Sequence, residues 1–594
     1  LLRLLKRTPE VPPAPATASP YPEPNPDIYR IWLSQNSPRP GDLMRLQREV
    51  QQFDYQPTIS VVMPVYNTPA DYLEQAIESV LAQIYPHWQL CIADDASPQP
   101  HVRTTLEKYR QQDERIQVVY RSENGHISEA SNSALELATG EFVALMDHDD
   151  LLTPDALFEV VDALNDCPET DMLYSDEDKV DEHNHLKDPF FKPDWCPDSF
   201  LSRMYTCHLG VYRRHIIDKI GGFRTGFEGA QDYDLVLRFT EKSDRIVHIP
   251  KILYHWRSHP ESTASRLASK SYATTAAAKA LTEALQRRGE PGIVTPTATG
   301  HWLPRYEIRK PGKVSIIIPT KDLASTLNTC LTSIFRLTTY ADYEVIVVDN
   351  GSTQRQTQRL FKTWAKREPQ RFRVEPLDIP FNYPKLNNFA VSKAEGDYLL
   401  FLNNDTEISQ GDWLTAMVEQ AQRPSIGAVG ATLLYPDNTI QHAGVVLGIG
   451  GVAGHSHKFY PKDAIGYFAQ LQTVNNYSAV TAACLLCRRE VFDAIGGFEE
   501  SLSVAFNDVD FCLKMLEKGY RNVCLPHVRL YHYESKSRGQ ENTPEKQLRF
   551  KQEIDYMKQR WGDYLDDDPC YNPHLSRERE DYSLTLTPSP AQVL

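Results

Sequence analysis

The sequence predicts an α/β protein that contains two copies of one doubly wound domain. Short apolar runs rich in β-branched residues, such as 59–64 and 89–93, alternate with amphipathic helical segments such as 70–83. Runs of this kind are typical of parallel strands that helices cover on both faces. The same order of segments recurs in the second half of the 594-residue chain, which is too long for one hydrophobic core.

Short motifs fix the spacing of this repeat. Early in each copy the offset is nearly constant, and the pairs are Pro64 and Pro319 (319 − 64 = 255), Asp94 and Asp349 (349 − 94 = 255), and Asp149 and Asp405 (405 − 149 = 256). Later pairs lie further apart, namely Asp232 and Asp508 (508 − 232 = 276) and His255 and His532 (532 − 255 = 277). The second copy therefore contains an insertion of about twenty residues, an ordinary change for a loop.

The predicted organisation follows from this repeat and from composition. It consists of a Pro-rich linker and helical lead-in at 1–56, a first domain at 57–300, a second domain at 313–563 and a tail at 564–594. Crowded Pro, Ala, Ser and Thr residues at 8–26 indicate an extended linker. The junction near 290–312 is rich in Gly and Pro and follows a predicted helix at 271–288. The chain does not begin with Met, which suggests a fragment of a longer protein.

Composition narrows the classes of partner. A formal charge of −16 argues against nucleic acid, although an acidic protein can bind a nucleotide diphosphate through a divalent cation. Ten cysteines without regular spacing are typical of intracellular thiols, and we expect Cys484 and Cys487 to pack in a core rather than to bind metal. No apolar run reaches about 18 residues. These features predict a cytoplasmic protein with at most peripheral association at the inner face of the cell membrane.

Acidic motifs stand where predicted strands end. Asp94 and Asp95 end one strand, and Asp147 and Asp149 follow another. In open α/β sheets ligands bind at the carboxyl ends of the strands, so both motifs are expected to face one crevice. The alternative is that these carboxylates are solvated in turns. The recurrence of both motifs in register in the second copy favours a functional role.

The spacing of these carboxylates suggests a specific chemistry. An Asp-x-Asp at a strand end can hold Mn2+ or Mg2+, and such an ion can bridge the phosphates of a nucleotide-sugar. Asp232 and Asp508 each begin a predicted helix after a Gly-Gly-Phe and are candidates for a general base. The alternative for these positions is helix capping, which fits Asp234 and Asp510 better.

The ordered set of motifs resembles the inverting glycosyltransferases of family 2, which adopt the GT-A fold. The resemblance covers nearly all of residues 57–540. In the first copy it implies nucleotide-sugar binding by Pro64, Tyr66, Asp94, Asp95, Asn132 and Asp147, metal binding by Asp147, Asp149 and His255, and Asp232 as the base. In the second copy it implies nucleotide-sugar binding by Pro319, Asp349, Asn388 and Asn403, metal binding by Asp405 and His532, and Asp508 as the base.

The second copy departs from the family pattern. It reads Asn403-Asn404-Asp405 and keeps one carboxylate of the metal motif, while the first copy has Gln231 before Asp232. Residues 440–448 and 568–575 are similar to stretches of tandem, rhamnosyltransferase-like enzymes of bacterial O-antigen or surface polysaccharide synthesis. Residues 440–448 are expected to form either an acceptor loop or a structural hairpin.

Two functions follow from the resemblance. The first is a bifunctional, metal-dependent glycosyltransferase that moves sugars, with inversion, from nucleotide-diphospho-sugars to a free or lipid-linked glycan. The second combines one active module with a non-catalytic carbohydrate-binding module, for which the depleted Asn403 motif makes the second copy the candidate. A nucleotidyltransferase is disfavoured because the sequence has no Gly-rich, Lys-bearing phosphate loop.

Overall fold

A computed structural model of the protein describes residues 26–258, 270–534 and 543–586. Most of the predicted Pro-rich linker and the end of the predicted tail lie outside these residues. The helical lead-in consists of α1 (Pro26–Asn36) and α2 (Pro40–Glu49). Among the described residues no helix is both long and apolar enough to cross a bilayer.

The first domain is built on one sheet. Its described strands are β1 (Ile59–Val65), β2 (Trp88–Asp94), β3 (Ile116–Tyr120), β4 (Phe142–Leu145), β5 (Leu151–Leu152), β6 (Met172–Val180), β7 (Leu186–Phe190), β8 (Gly210–Arg213) and β9 (Ile246–Arg257). They lie in the order β3-β2-β1-β4-β8-β6-β9-β5, and β7 pairs with β6. Strands β1 to β4 are parallel, whereas β8 runs antiparallel to both of its neighbours, so the sheet is mixed.

Helices cover both faces of this sheet. They are α3 (Ala70–Leu81), α4 (Pro100–Gln112), α5 (His126–Leu137), α6 (Ala156–Asp166), α7 (Pro197–Phe200), α8 (Arg214–Ile220), α9 (Gln231–Phe239) and α10 (Lys270–Arg287). All residues of β1 and β2 are buried, as the continuous apolar runs predict. In α3 the buried side chains Leu73, Ala76, Ile77 and Val80 recur at helical spacing and form the face that packs on the core.

The second domain repeats this sheet. Its described strands are β12 (Val314–Thr320), β13 (Tyr343–Asp349), β14 (Phe372–Pro376), β15 (Tyr398–Leu402), β16 (Thr406–Ile408), β17 (Ile426–Leu434), β18 (Ile440–His442), β19 (Val445–Leu447), β20 (Ala453–His455), β21 (Asn475–Tyr477), β22 (Cys484–Arg488) and β23 (Arg521–His532). The main order, β14-β13-β12-β15-β22-β17-β23-β16, matches the first sheet strand for strand. The predicted fold class, two tandem GT-A domains, is confirmed.

The helices of the second domain also follow the first. They are α11 (Ala324–Leu337), α12 (Arg355–Arg367), α13 (Tyr383–Val391), α14 (Trp413–Ala421), α15 (Arg489–Ala494), α16 (Asn507–Glu517) and α17 (Pro544–Asp566). Cys484 and Cys487 are buried in β22, which agrees with the packing role predicted for them.

The junction between the domains is ordered structure rather than a simple loop. Strands β10 (Gly292–Pro296) and β11 (Trp302–Tyr306) pair antiparallel, and we call this element the linker hairpin. The Gly and Pro residues that predicted a break therefore mark the ends and turns of a two-stranded element. Residues of this hairpin line a cavity of the first domain.

The extra residues of the second copy lie where the offset predicts them. Residues 181–209 join β6 to β8 in the first domain, and residues 435–483, which we call the insertion, join the equivalent β17 to β22, with twenty residues more. Residues 440–448 form β18 and β19, are almost entirely buried, and pair with β17 and β20. The stretch therefore supplies one strand to each of two antiparallel pairs, and its role as an acceptor loop stays a prediction.

Buried polar contacts join the two domains. Asp198 of the first domain is 2% exposed and lies 2.7 Å from both Arg423 and Arg521 of the second. These two arginines hold the pKa of Asp198 far below its usual range although burial opposes this. In the insertion, Phe468 stacks on Phe190 with ring centroids 3.6 Å apart. Ionised groups are costly to bury without partners, so the ion pairs of Asp198 with Arg423 and Arg521 hold the two domains against each other.

Candidate functional site

Two adjoining cavities open at the carboxyl ends of the first sheet. The larger has a volume of about 1110 Å³ and is lined by Asp147, His208 and Asp232 among others. The smaller, of about 350 Å³, is lined by Pro64, Tyr66, Asp95 and Asp147 among others. Asp147 therefore lies between the two cavities. The crevice predicted at the strand ends is present, and it collects residues from four separate motifs.

The smaller cavity contains most of the residues that were predicted to bind the nucleotide. Asp95 is 2% exposed, accepts a hydrogen bond from the backbone N–H of Gly125, and forms an ion pair of 2.8 Å with Arg121. Asp94 accepts the backbone N–H of Ser97 at 3.2 Å and so shapes the turn after β2. Asp95, Pro64 and Tyr66 thus face the cavity, whereas Asp94 is engaged in the turn beside it.

Asn132, which was predicted to bind the nucleotide, lies beside the turn that precedes α9 and is not among the residues that line the two cavities. Its side chain donates to the carbonyl of Phe223 and accepts the N–H of the same residue, both at 2.9 Å. In the second domain Asn388 makes the same two bonds with Phe498, at 3.0 and 3.1 Å. The two asparagines therefore hold the Gly-Gly-Phe turns that precede the helices of Asp232 and Asp508. Their binding of a nucleotide stays a prediction.

Asp147, Asp150 and His208 form a group that could hold a cation. One ligand atom from each lies within 4.8 Å of the others. His208 stacks on the ring of Tyr254, with centroids 4.6 Å apart, and its Nε2 lies 3.9 Å from Asp147 Oδ2. Asp150 is fully buried and accepts the hydroxyl of Tyr254 at 2.6 Å. Burial, and next the charge of Asp147, raises the pKa of Asp150.

The group differs from the predicted one, which combined Asp147 with Asp149 and His255. The structure turns His255 away, because its Nδ1 lies 2.5 Å from Asp178 Oδ1. The next residue, Trp256, lines the larger cavity, and successive side chains of a strand point to opposite faces. His208 was missed by the sequence reasoning. Since it belongs to no motif of the repeat, no sequence signal could have found it.

Asp232 lies at the start of α9 and faces the same cavity as Asp147 and His208. Burial raises the pKa of the Asp232 carboxyl, against the effect of the Tyr233 backbone N–H that it accepts at 2.8 Å. A raised pKa makes the carboxylate a stronger base. Asp234, for which helix capping was the favoured alternative, also has a structural role. It forms buried ion pairs with Arg224 and Arg238 rather than a cap.

The second domain lacks an equivalent cation group. At the offset of 256, Asp147 and Asp150 correspond to Asn403 and Thr406. Leu145 pairs with Gly210 in the first sheet, and the equivalent Phe401 pairs with Leu485 in the second, so strand register places Ala483 at the position of His208 (483 − 208 = 275). All three donor side chains are replaced. In the described part of the second domain no three potential ligands come together in this way.

Strand register also corrects the match between His255 and His532. Leu151 pairs with His255 in the first sheet, whereas the equivalent Glu407 (407 − 151 = 256) pairs with Tyr531 in the second. His532 is therefore equivalent to Trp256, and it faces the site. Its Nε2 lies 3.1 Å from Asp405 Oδ1 and 3.2 Å from Asn403 Nδ2. The structure thus brings together Asp405, Asn403 and His532, three residues predicted for the second site. Their geometry differs from that of the first site.

The insertion surrounds this second site. Gln441 Oε1 lies 2.6 Å from His532 Nδ1, and His442 Nδ1 lies 3.0 Å from His455 Nδ1. Burial lowers the pKa of His442 and that of His455, so both rings are neutral at pH 7. Asp508 is half-buried and accepts the backbone N–H of Ala482 at 3.1 Å. Asp349 accepts the N–H of Ser352, as Asp94 does for Ser97, and Pro319 lies near the end of β12.

Asp510 has a structural position like that of Asp234. Its carboxylate accepts the indole N–H of Trp561 at 3.0 Å and lies 3.1 Å from Lys514 Nζ. Both positions two residues after the candidate base therefore anchor a helix, by an arginine pair in one domain and by a tryptophan and a lysine in the other. Of the two carboxylates at the start of each helix, this leaves Asp232 and Asp508 as the candidates for the base.

Comparison with known proteins identifies the family of the chain. The model of a family described as glycosyl transferase family 2 matches residues 60–221 and 315–496. An uncharacterized protein of Sinorhizobium fredii is 48% identical over 94% of this chain and 62% of its own length. The O-antigen biosynthesis protein RfbC of Myxococcus xanthus is 39% identical over 97% of this chain and 45% of its own length. The chain thus spans about half the length of these curated relatives.

Among solved structures, GalNAc-T7 with UDP, GalNAc and Mn2+ is 15% identical, covers 45% of this chain and 51% of its own, and has a TM-score of 0.36, too low to bear on the site. The family assignment rests instead on the two segments matched by the family model, which together cover more than half of the chain and contain both nucleotide-side motifs. The chain belongs to glycosyl transferase family 2.

Proposed function

We propose that the first domain transfers a sugar, with inversion, from a nucleotide-diphospho-sugar to a hydroxyl of a growing surface glycan. One observation carries the proposal: Asp147, His208 and Asp232 line one cavity, and Asp147 also lines the adjoining cavity that contains Pro64, Tyr66 and Asp95. A nucleotide in the smaller cavity would place its diphosphate at Asp147 and its sugar beside Asp232. The similarity to an O-antigen biosynthesis protein supports a surface polysaccharide as the acceptor.

The residues at the junction of the cavities fit a divalent cation. The ligand atoms of Asp147, Asp150 and His208 lie within 4.8 Å of one another, and carboxylate and imidazole ligands suit Mn2+, whereas Mg2+ prefers carboxylate. Asp147 and His208 would hold the ion. Asp150 is fixed by Tyr254 and by the backbone N–H of Arg257 at 2.7 Å, so it would orient the site from beneath. When bound, the ion stabilises negative charge on the departing diphosphate.

The remaining steps belong to side chains of the chain itself. Asp232 accepts the proton of the acceptor hydroxyl as that oxygen attacks the anomeric carbon from the face opposite the diphosphate. Asn132 positions Asp232 through the Phe223 turn. Arg121 compensates the charge of Asp95 and keeps that carboxylate directed at the nucleotide side. Proton transfer by a positioned base contributes about 10²- to 10⁴-fold in rate.

A second candidate function concerns the second domain. The replacement of the three cation donors by Asn403, Thr406 and Ala483 favours a domain that binds carbohydrate without metal-dependent transfer. It keeps Asp508, and a second transferase activity stays a prediction.

The test uses the full chain with a panel of nucleotide-diphospho-sugars and Mn2+, and follows release of the nucleoside diphosphate. Asp232→Asn is expected to lower turnover at least about 100-fold. Asp508→Asn is the matched variant of the second domain and is expected to leave turnover within about twofold. Unchanged turnover in Asp232→Asn would sink the assignment, and a product lost only in Asp508→Asn would establish the bifunctional enzyme instead.

A further inference from the structure

The larger cavity has one wall that does not come from the main sheet of the first domain. Asp147, His208 and Asp232 lie on one side, and Thr299, His301 and Trp302 of the linker hairpin lie on another, together with Tyr272 near the start of α10. Residues 272–302 lie outside both segments that the family model matches. Strands β10 and β11 also form a separate two-stranded sheet, so this hairpin does not belong to the sheet that the two domains share.

The wall is held firmly in place. The backbone N–H of Trp302 donates to the carbonyl of Ser202 at 2.9 Å, and the side chain of Trp302 is 5% exposed. The backbone N–H of His301 donates to Thr297 Oγ1, and the ring Nδ1 of His301 lies 3.0 Å from the Thr299 hydroxyl. Among the described residues its Nε2 has no hydrogen-bond partner. Burial, and next the charge of Arg203, lowers the pKa of His301 to about 4, so the ring is neutral at pH 7.

The second domain also holds in place a residue that lines this cavity, Arg203. Arg203 lines the cavity, is 5% exposed, and donates to the carbonyl of Phe468 and to Asn475 Oδ1, both of which belong to the insertion. Within the described residues no carboxylate lies within 4.0 Å of this guanidinium. The insertion thus also fixes a side chain of the first site.

The chemistry of the wall suits a sugar chain. Trp256, Tyr272 and Trp302 present aromatic rings to the cavity, and Tyr272 is 50% exposed. Aromatic rings pack against the C–H faces of pyranose rings, and a neutral imidazole can exchange hydrogen bonds with sugar hydroxyls. The volume of about 1110 Å³ is at the upper end of ligand pockets and does not include the smaller cavity of the nucleotide side. This is more space than one acceptor sugar needs.

We propose that the linker hairpin and Tyr272 form an acceptor subsite of the first domain, which binds an oligosaccharide through sugar residues beyond the one that accepts the transfer. This inference rests on the proposed function. The acceptor hydroxyl lies at Asp232, and the chain extends past Trp256 towards His301 and Tyr272. Acceptor recognition in the first domain would then require the junction with the second.

The experiment compares His301→Ala and Tyr272→Ala in the full chain with wild type. The probes are mono-, di- and trisaccharide fractions from the hydrolysed surface polysaccharide of the producing organism, and two activities are measured: sugar transfer to each fraction and donor hydrolysis without acceptor. Each variant is expected to raise the KM for the trisaccharide about tenfold, to change the KM for the monosaccharide less than twofold, and to leave donor hydrolysis unchanged. Trisaccharide binding is also titrated by tryptophan fluorescence, and the expected tenfold loss of affinity does not depend on turnover.

Ile293→Ala is the matched control, because Ile293 is 67% exposed on the same hairpin but does not line the cavity. Equal KM values for all fractions in wild type and both variants would overturn the subsite. So would a loss of donor hydrolysis as large as the loss of transfer, because it would assign these residues to the donor. Absence of both sugar transfer and donor hydrolysis in wild type would instead refute the proposed function, and the fluorescence titration would then decide on glycan binding alone.

Discussion

The two domains share a sheet strand for strand but differ where chemistry would occur. In the first, Asp147, Asp150 and His208 converge beside an open cavity. In the second, the same three positions are Asn403, Thr406 and Ala483, and the insertion packs over the site. The buried strands are equally apolar in both, so the core has kept the fold while the strand ends have diverged. A repeated fold is thus evidence for a repeated scaffold, and each site must be argued from its own side chains.

The insertion explains much of this difference. Gln441 contacts His532, and His442 contacts His455, so the insertion occupies the region that forms open space in the first domain. At the same time Phe468 and Asn475 contact Arg203 of the first domain. The comparison therefore suggests that the second domain supports the first site. The predictions below test that idea, from the largest expected effect to the smallest.

The strongest test removes the charge that joins the domains. Asp198→Asn leaves Arg423 and Arg521 close together and without this buried carboxylate. We expect a loss of about 3–5 kcal/mol in the free energy of unfolding, measured by urea denaturation, because breaking a buried ion pair is strongly destabilising and, among the described carboxylates, Arg423 would retain only Glu290, at 3.0 Å. Asp27→Asn removes an exposed pair with Arg30 and is expected to cost about 0–1 kcal/mol. Equal effects of the two substitutions would show that the domains are independent.

A second test uses pH at the contact between the first domain and the C-terminal segment. Burial disfavours a charged His248, but Asp176 at 2.9 Å and Asp194 at 3.1 Å outweigh it and raise the pKa of His248 to about 9. Asp176 also accepts Asn572 of the C-terminal segment. The stabilisation is complete below the ordinary pKa of about 6.5 and is lost as the pH rises through about 9.

We therefore expect His248→Gln to be less stable than wild type by about 3 kcal/mol at pH 6.5, with a difference that shrinks towards pH 9.5. Urea denaturation at several pH values measures it. A difference that does not depend on pH would mean that His248 contributes by packing and not by charge.

The third test addresses the cation group directly. Mn2+ binding to the full chain, followed by electron paramagnetic resonance, is expected to show one strong site per chain. Asp147→Asn and His208→Ala should each lower the Mn2+ affinity of this site about 100-fold. Even the loss of a residue that only hydrogen-bonds to a metal ligand lowers metal affinity about 10- to 100-fold. Asp405→Asn is the matched variant and should leave the binding curve unchanged. A second strong site that disappears in Asp405→Asn would break the asymmetry between the domains.

The sequence predicted the sheets, the repeat and the side of the fold where the site lies, because apolar runs and strand-end carboxylates are local signals. It did not predict His208, which reaches the site only because β8 runs antiparallel beside β4. It matched His255 with His532 by a shared Tyr-His pair at an offset of 277, whereas the pairing of β6 with β9 and of β17 with β23 makes Tyr254 equivalent to Leu530, an offset of 276. Register of this kind depends on tertiary pairing, and a one-residue shift reverses the face of every side chain.

The smallest expected effect concerns the nucleotide side. Asp95 pairs with Arg121, whereas its counterpart Asn350 donates to the carbonyls of Leu377 and Ile379. Asp95→Asn keeps the shape and removes the charge, so we expect the donor KM of the first domain to rise about tenfold, about 1.4 kcal/mol, with kcat nearly unchanged. Asn350→Asp, the reverse change, should leave donor KM unaltered. A fall in kcat without a change in KM for Asp95→Asn would place this carboxylate at the reacting sugar rather than at the nucleotide.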